Sequence, residues 1–291
     1  MIALVQWLIK YALLEPFGAN TSLDLTGIIL LILATVFIAA AGNIINDIND
    51  VETDIINKPD KTIIDKSISE KTAYNLFIAC NVIGVCIGFY LSNVIGKSAF
   101  FSLFVIISVL LYVYSTYLKQ IVLVGNMVIS ILVALSIVIV GIFELIPNIS
   151  YENKNTQLLF FKMIMDYAYF AFIINFIREI AKDIEDIDGD YKSGMNTLPI
   201  AIGRERANKV LFGLSLIPLI AVGYYIVDSL YKNQIAVIYF LVFIMAPLLY
   251  TSIKIAGAKT KKEYHHISNM LKLIMLFGML SLLLYKFILS R

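Results

Sequence analysis

Charge is scarce in this sequence: only 15% of its 291 residues are Asp, Glu, Lys or Arg, against 60% hydrophobic. An ordinary water-soluble domain carries about a quarter charged residues, so that class is excluded. Cysteine is nearly absent. The two present, Cys80 and Cys86, share one apolar run at a spacing that puts them on different helical faces, which excludes a disulfide framework or a thiolate zinc site. The two histidines, His265 and His266, sit in a basic polar connection and read as solvated surface. A net charge of +2 provides no basic field for nucleic acid, and nothing in the chain calls for a protein partner. A cleavable leader is not expected either: Lys10 interrupts the apolar start and no small-residue cleavage site follows.

Long apolar runs dominate what remains. A spanning helix needs about 20 predominantly apolar residues. Nine stretches come near that length, at residues 1–14, 27–45, 73–91, 99–117, 122–143, 163–177, 210–226, 235–253 and 270–289. The first is short for a span. The expectation is an all-α, polytopic membrane protein with nine transmembrane helices in one bundle, residues 1–291 forming one domain. Connections after the second, fourth, sixth and eighth helices hold sixteen Lys and Arg, counting Lys272 at the start of the ninth, and those after the third, fifth and seventh hold four. By the positive-inside asymmetry, the former face the cytoplasm across a cell membrane.

Two cytoplasmic connections carry the chemistry. Asp47, Asp50 and Asp54 recur 136 positions later as Asp183, Asp186 and Asp190 (183 minus 47, 186 minus 50, 190 minus 54). A spacing of i, i+3, i+7 aligns three carboxylates on one helical stripe. Uncompensated like charges repel, so a cation is expected between the stripes. Mg²⁺ suits them, because it takes a couple of carboxylates together with substrate phosphate oxygens. A solvated acidic loop is the plainer reading of either stripe, and the repeat at two equivalent helix ends argues against it. Pro59 should end the first acidic helix near Asn57, Ser69 reads as an N-cap, and a helix should begin near Glu205 after Gly203.

Other residues acquire meaning beside such a site. Tyr114 and Lys119 close the fourth helix and Asn126 opens the fifth. Alone they read as interfacial aromatics and a snorkelling lysine; beside a diphosphate, Lys119 is a phosphate cation, and Tyr114 and Asn126 line the pocket. Arg178 and Lys182 share a face with Asp183 and Asp186, either as charge partners or as cations for an acceptor's phosphate. Lys58, Lys61 and Lys192 have the same two readings, or contact lipid headgroups. Glu144 falls on the opposite side of the membrane.

These motifs resemble those of the UbiA superfamily of intramembrane prenyltransferases. Asn46, Asp47, Asp50 and Asp54 match its Asn-Asp-x-x-Asp-x-x-x-Asp motif. Asp183, Asp186, Asp190 and the Thr197-Leu198-Pro199 turn match its second. Tyr114-Ser115, Leu118-Lys119 and Gly125-Asn126 are similar to the branch that transfers a geranylgeranyl group to geranylgeranylglyceryl phosphate. Two departures stand out: no Arg-x-x-Asn segment near the start, and Lys58 and Lys61 where the family commonly has arginines in the loop after Asn57.

The resemblance implies a central cavity open to cytoplasm and lipid, and a polyprenyl diphosphate held by Mg²⁺ on the six aspartates. Asn46 and Lys119 would contact its oxygens, and a lipid-like acceptor hydroxyl would attack the allylic carbon. Prenylation of an aromatic acceptor is the alternative within the superfamily. An ion-coupled transporter is the rival from another class, but it would put carboxylates near the bilayer midplane rather than at helix ends beside lysine-rich loops. In a variant lacking Cys80 and Cys86, a single cysteine replacing Lys192 is expected to react with a membrane-impermeant maleimide from the cytoplasmic face. One replacing Lys97 should react only from the other face; the reverse pattern would invert the topology.

Overall fold

The computed structural model describes residues 1–57, 59, 62–64 and 66–288. The helices, in chain order, are α1 (Ile2–Leu8), α2 (Leu25–Asn49), α3 (Val51–Asn57), α4 (Glu70–Val94), α5 (Ser98–Thr116) and α6 (Val124–Asn148). They continue with α7 (Lys154–Lys192), α8 (Leu198–Ile202), α9 (Arg204–Leu230), α10 (Gln234–Gly257) and α11 (Lys261–Phe287). Helix ends follow local chemistry. The Asp24 side chain accepts from Gly27 N at 2.7 Å to start α2, Ser69 caps α4 as its sequence predicts, and Thr260 with Glu263 forms a capping box on α11. The expected stops also hold: α3 ends at Asn57, before Pro59, and α9 begins at Arg204, after Gly203 at φ 85°.

Among the described residues, eight helices rather than nine are long and apolar enough to cross a membrane. The first predicted span is a shorter rod, α1 continued by a π-helical turn Ile9–Leu14 and a 3-10 turn Glu15–Phe17, that stops at Gly18. Its brevity has a cause in Lys10. That side chain is 1% exposed and bonds Glu144 Oε1 at 2.8 Å, the carbonyl of Leu23 and, at 3.5 Å, Glu15. Glu144 in turn accepts from the backbone N–H groups of Ser22 and Leu23. A buried cation needs such a set of partners, and the chain turns back where they are found.

α7, at 39 residues, is about 58 Å long and outruns a ~30 Å hydrocarbon core. Its acidic cluster is therefore a continuation of the helix and not a loop. It also joins the two halves of the core. Phe160, Ile164, Ala168 and Ala171 pack with residues of α1, α2, α5 and α6, whereas Ile174, Ile177, Ile180 and Ile184 pack with residues of α9 to α11. α4 presents Gly84 to α2 and Gly88 to α5; a Cβ on the first would lie 2.7 Å from Ile38 Cγ1, and on the second 2.3 Å from Phe104 Cδ2. Small residues four apart let membrane helices approach closely.

Substitution of Lys10 by Met is expected to destabilise the detergent-solubilised protein by about 3–5 kcal/mol, because it strands the Glu144 carboxylate. A thermal melt checks this, and the double variant Lys10→Met/Glu144→Gln should recover most of the loss.

Candidate active site

At one end of the bundle α2, α3, α6 and α7 bring their polar ends together around a cavity of about 150 Å³. Its wall includes Asn46, Asp50, Asp54, Tyr114, Lys119, Asn126, Lys182, Asp183, Asp186 and Asp190, all singled out in the sequence. Thr53, Asn57, Gly125, Glu179, Met195 and Thr197 complete it. The two aspartate clusters thus face one cavity, but they are built differently. Asp183, Asp186 and Asp190 lie on continuous α7. In the first cluster α2 ends at Asn49 and the chain bends at Asp50 (φ −98°, ψ 3°) before α3. The single helical stripe expected there is broken, and Asp47 is exposed outside the cavity wall. Lys192 is also exposed, on another face of α7 with Asp188 and Tyr191. Lys58 and Lys61 lie outside the described residues.

Compensation of the negative charge is local. Lys119 forms an ion pair with Asp50 Oδ1, and Asn46 Nδ2 donates to Asp50 Oδ2 at 2.6 Å. Asn126 Nδ2 donates to Asp183 Oδ2 at 2.8 Å. Glu179 receives Arg178 Nη1 at 2.8 Å and Lys182 Nζ at 2.9 Å. The backbone brings these groups together at some cost. Leu123, at φ 60°, turns the chain into α6, a conformation worth about 1–2 kcal/mol of strain for a residue with a Cβ. A Cβ on Gly125 would lie 2.6 Å from Lys119 Cα, so only glycine lets the Lys119 backbone cross the start of α6.

Asn57 is the residue that sequence reasoning passed over. Its Nδ2 donates to Asp186 O and its Oδ1 accepts from Gly189 N, both at 3.0 Å, so α3 is latched to α7. Gly189 makes the latch fit, since a Cβ there would lie 2.4 Å from Asn57 Nδ2. Thr53 Oγ1 adds a 2.7 Å bond to Ser193 Oγ, and Lys261 Nζ donates to Asn57 O at 2.8 Å. An asparagine at the expected helix end, two residues before Pro59, was the available signal. His265, exposed as expected, also bonds Glu185 Oε1 through Nδ1 at 2.9 Å.

Among the described residues no three carboxylate, His or Cys groups converge to hold a metal ion unaided. Two buried oxygens of the wall, Asn46 Oδ1 and Thr197 Oγ1, have no hydrogen-bond partner, which fits a polar ligand. A second, larger cavity of about 320 Å³, lined mainly by apolar residues of α1, α2, α5, α6, α7 and α11, carries Asn43, Asn175 and Arg178 in its wall. Arg178 is thus in that wall, although its pair Glu179 lines the acidic cavity.

An acidic, phosphate-sized cavity beside an apolar one is the geometry of a site for an amphipathic anion. The UbiA prenyltransferase family profile matches residues 16–273. The chain belongs to the UbiA prenyltransferase family. A digeranylgeranylglyceryl phosphate synthase of Methanosphaera stadtmanae is 30% identical over 249 residues, 84% of this chain and 83% of that protein. A solved UbiA homologue from Aeropyrum pernix K1 superposes with a TM-score of 0.70 at 14% identity, over 95% of each chain. Another from Archaeoglobus fulgidus, bound to DMAPP and Mg²⁺, gives 0.55 at 19% identity, over 97% of this chain and 96% of that one. As a UbiA protein with eight apolar spanning helices, it is a multi-pass membrane prenyltransferase.

Asn57→Ala removes both latch bonds. The expected outcome is a loss of about 1–3 kcal/mol and faster amide exchange confined to α3 and the end of α7, read by hydrogen-exchange mass spectrometry; unchanged exchange in α3 would refute the latch.

Proposed function

We propose that residues 1–291 form one UbiA domain that transfers a geranylgeranyl group from its diphosphate to a hydroxyl of a lipid-like acceptor, geranylgeranylglyceryl phosphate. The observation that carries this is the acidic cavity, with both aspartate clusters in its wall, next to an apolar cavity able to take a prenyl chain. The relative from Methanosphaera, named for this synthesis, supports the acceptor.

Asp50, Asp54, Asp183, Asp186 and Asp190 would hold Mg²⁺, directly or through water, and Asp47, outside the wall, would reach it only through water. Among the described residues no three of these carboxylates converge, which agrees with an ion held partly by substrate phosphate. Mg²⁺, when bound, neutralises the diphosphate and makes it a better leaving group. Lys119, now paired with Asp50, turns to a diphosphate oxygen, and Asn46, Asn126, Lys182 and the opening turn of α6 supply further donors. Tyr114 shields the allylic carbon and faces its developing positive charge. The apolar wall excludes water while the bond to diphosphate breaks and the ether bond to the acceptor oxygen forms, with release of a proton and diphosphate. The distribution of Lys and Arg supports an acidic end that faces the cytoplasm.

Geranylgeranyl diphosphate incubated with the purified protein and geranylgeranylglyceryl phosphate should give a Mg²⁺-dependent ether product by mass spectrometry. Asp50→Ala and Asp186→Ala should each lower turnover by about 100-fold or more. Product on an aromatic acid alone would replace the acceptor, and full turnover by either variant would discard the site.

A further inference from the structure

The apolar cavity has two charged residues in its wall, both cations and on different helices: Arg178 of α7 and Lys272 of α11. A hydrocarbon chain has no use for either. Three contacts fix how α7 and α11 lie against each other. His265 meets Glu185 at 2.9 Å, a Cβ on Gly278 would lie 2.9 Å from Phe170 Cε1, and Ser281 Oγ meets Tyr167 OH at 2.7 Å. As numbers rise on one helix they fall on the other, so the pair is antiparallel. Arg178 lies seven residues before Glu185 and Lys272 seven after His265. Seven residues are about two turns, which brings both cations to one level below the Glu185–His265 bond and onto the faces that bear it.

Neither cation is fully used. Arg178 gives Nη1 to Glu179, and its Nε is buried with no hydrogen-bond partner. Lys272 has no ion pair or hydrogen bond among the described residues, and Met275, Gly278 and Met279 continue its stripe down the apolar wall. Asn43 and Asn175 line the same cavity, Asn175 one turn from Arg178. Arg178 is half-buried and Lys272 exposed, so both keep donors free for an anion at the apolar wall. Their charge and forked geometry suit a phosphate monoester dianion.

We propose that Arg178 and Lys272 hold the phosphate of the acceptor lipid, with its chain along the apolar wall, and so select a phosphorylated acceptor over its free alcohol. The site is separate from the aspartate cavity, where Lys119 and Lys182 are the cations. Lys272 is thereby a specificity residue that contacts substrate and plays no part in diphosphate departure. The assignment rests on the acceptor class proposed above.

The test is equilibrium binding of radiolabelled geranylgeranylglyceryl phosphate and of geranylgeranylglycerol to the detergent-solubilised protein. The wild type should prefer the phosphorylated lipid by about tenfold or more. Lys272→Met should weaken that lipid alone by a similar factor, leaving the free alcohol and geranylgeranyl diphosphate unaffected, and Lys272→Arg should restore binding. Equal affinity of wild type and Lys272→Met for the phosphorylated lipid overturns the proposal. So does an equal loss for both lipids, or equal competition by phosphatidylglycerol, a diester that would mark a general headgroup contact. Turnover separates the two claims. Selective binding without product would sink the prenyl-transfer reading and leave the cation site standing, whereas product with unchanged binding in Lys272→Met would sink the cation site alone.

Discussion

Mutual repulsion of carboxylates at one end of the bundle is the constraint that the local structure answers. Asp50, Asp54, Glu179, Asp183, Asp186 and Asp190 border one small cavity, a grouping that costs free energy wherever water is partly excluded. Each neighbouring element contributes a counterweight. The turn after α5 brings Lys119 to Asp50, α6 opens with Asn126 on Asp183, and α7 supplies Arg178 and Lys182 for Glu179. Lys261 reaches across from α11 to Asn57 O and lies 3.8 Å from Asp186. The arrangement keeps strong negative potential inside the cavity while holding its rim together.

Such a cavity is poised for a ligand that brings its own cation. Direct pairs such as Lys119 with Asp50 satisfy the carboxylates in the meantime, and they are exchangeable because both partners can turn to metal and phosphate. The rest of the bundle is closely packed. α7 threads both halves of the core, the Gly84 and Gly88 contacts close α4 onto its neighbours, and the Lys10–Glu144 pair ties down the far end. Adaptable polar contacts at the mouth and close packing elsewhere match a reaction that must admit two substrates and then exclude water.

The polar groups are divided between two cavities, and the proposed acceptor site uses that division to tell the substrates apart. Carboxylates with lysines mark one cavity, and an apolar wall with two cations marks the other. Glu179 and Arg178, adjacent in sequence and bonded to each other, stand at the boundary. Under the assignments proposed above, a diphosphate that carries metal would be favoured on the first side and a metal-free phosphate on the second.

Composition and local chemistry made much of this legible in advance. Apolar runs of spanning length gave the all-α membrane class, and Ser69, Pro59 and Gly203 act on the backbone within a few residues of themselves, so the helix ends near them could be read residue by residue. The recurring Asp spacing named five of the wall's carboxylates, because charge at that density in so apolar a chain has few uses. Tertiary structure decided the rest. Spacing assumes one continuous helix, and the bend at Asp50 that carries Asp47 out of the wall depends on how α3 docks on α7. The Asn57 latch, the Gly189 and Gly125 crossings and the burial of Lys10 on Glu144 join residues far apart in the chain. So does the alignment of Arg178 with Lys272, which depends on how α7 and α11 pack. Local sequence fixes dihedral preferences and periodicity, but which two polar groups meet is settled only when the helices have packed.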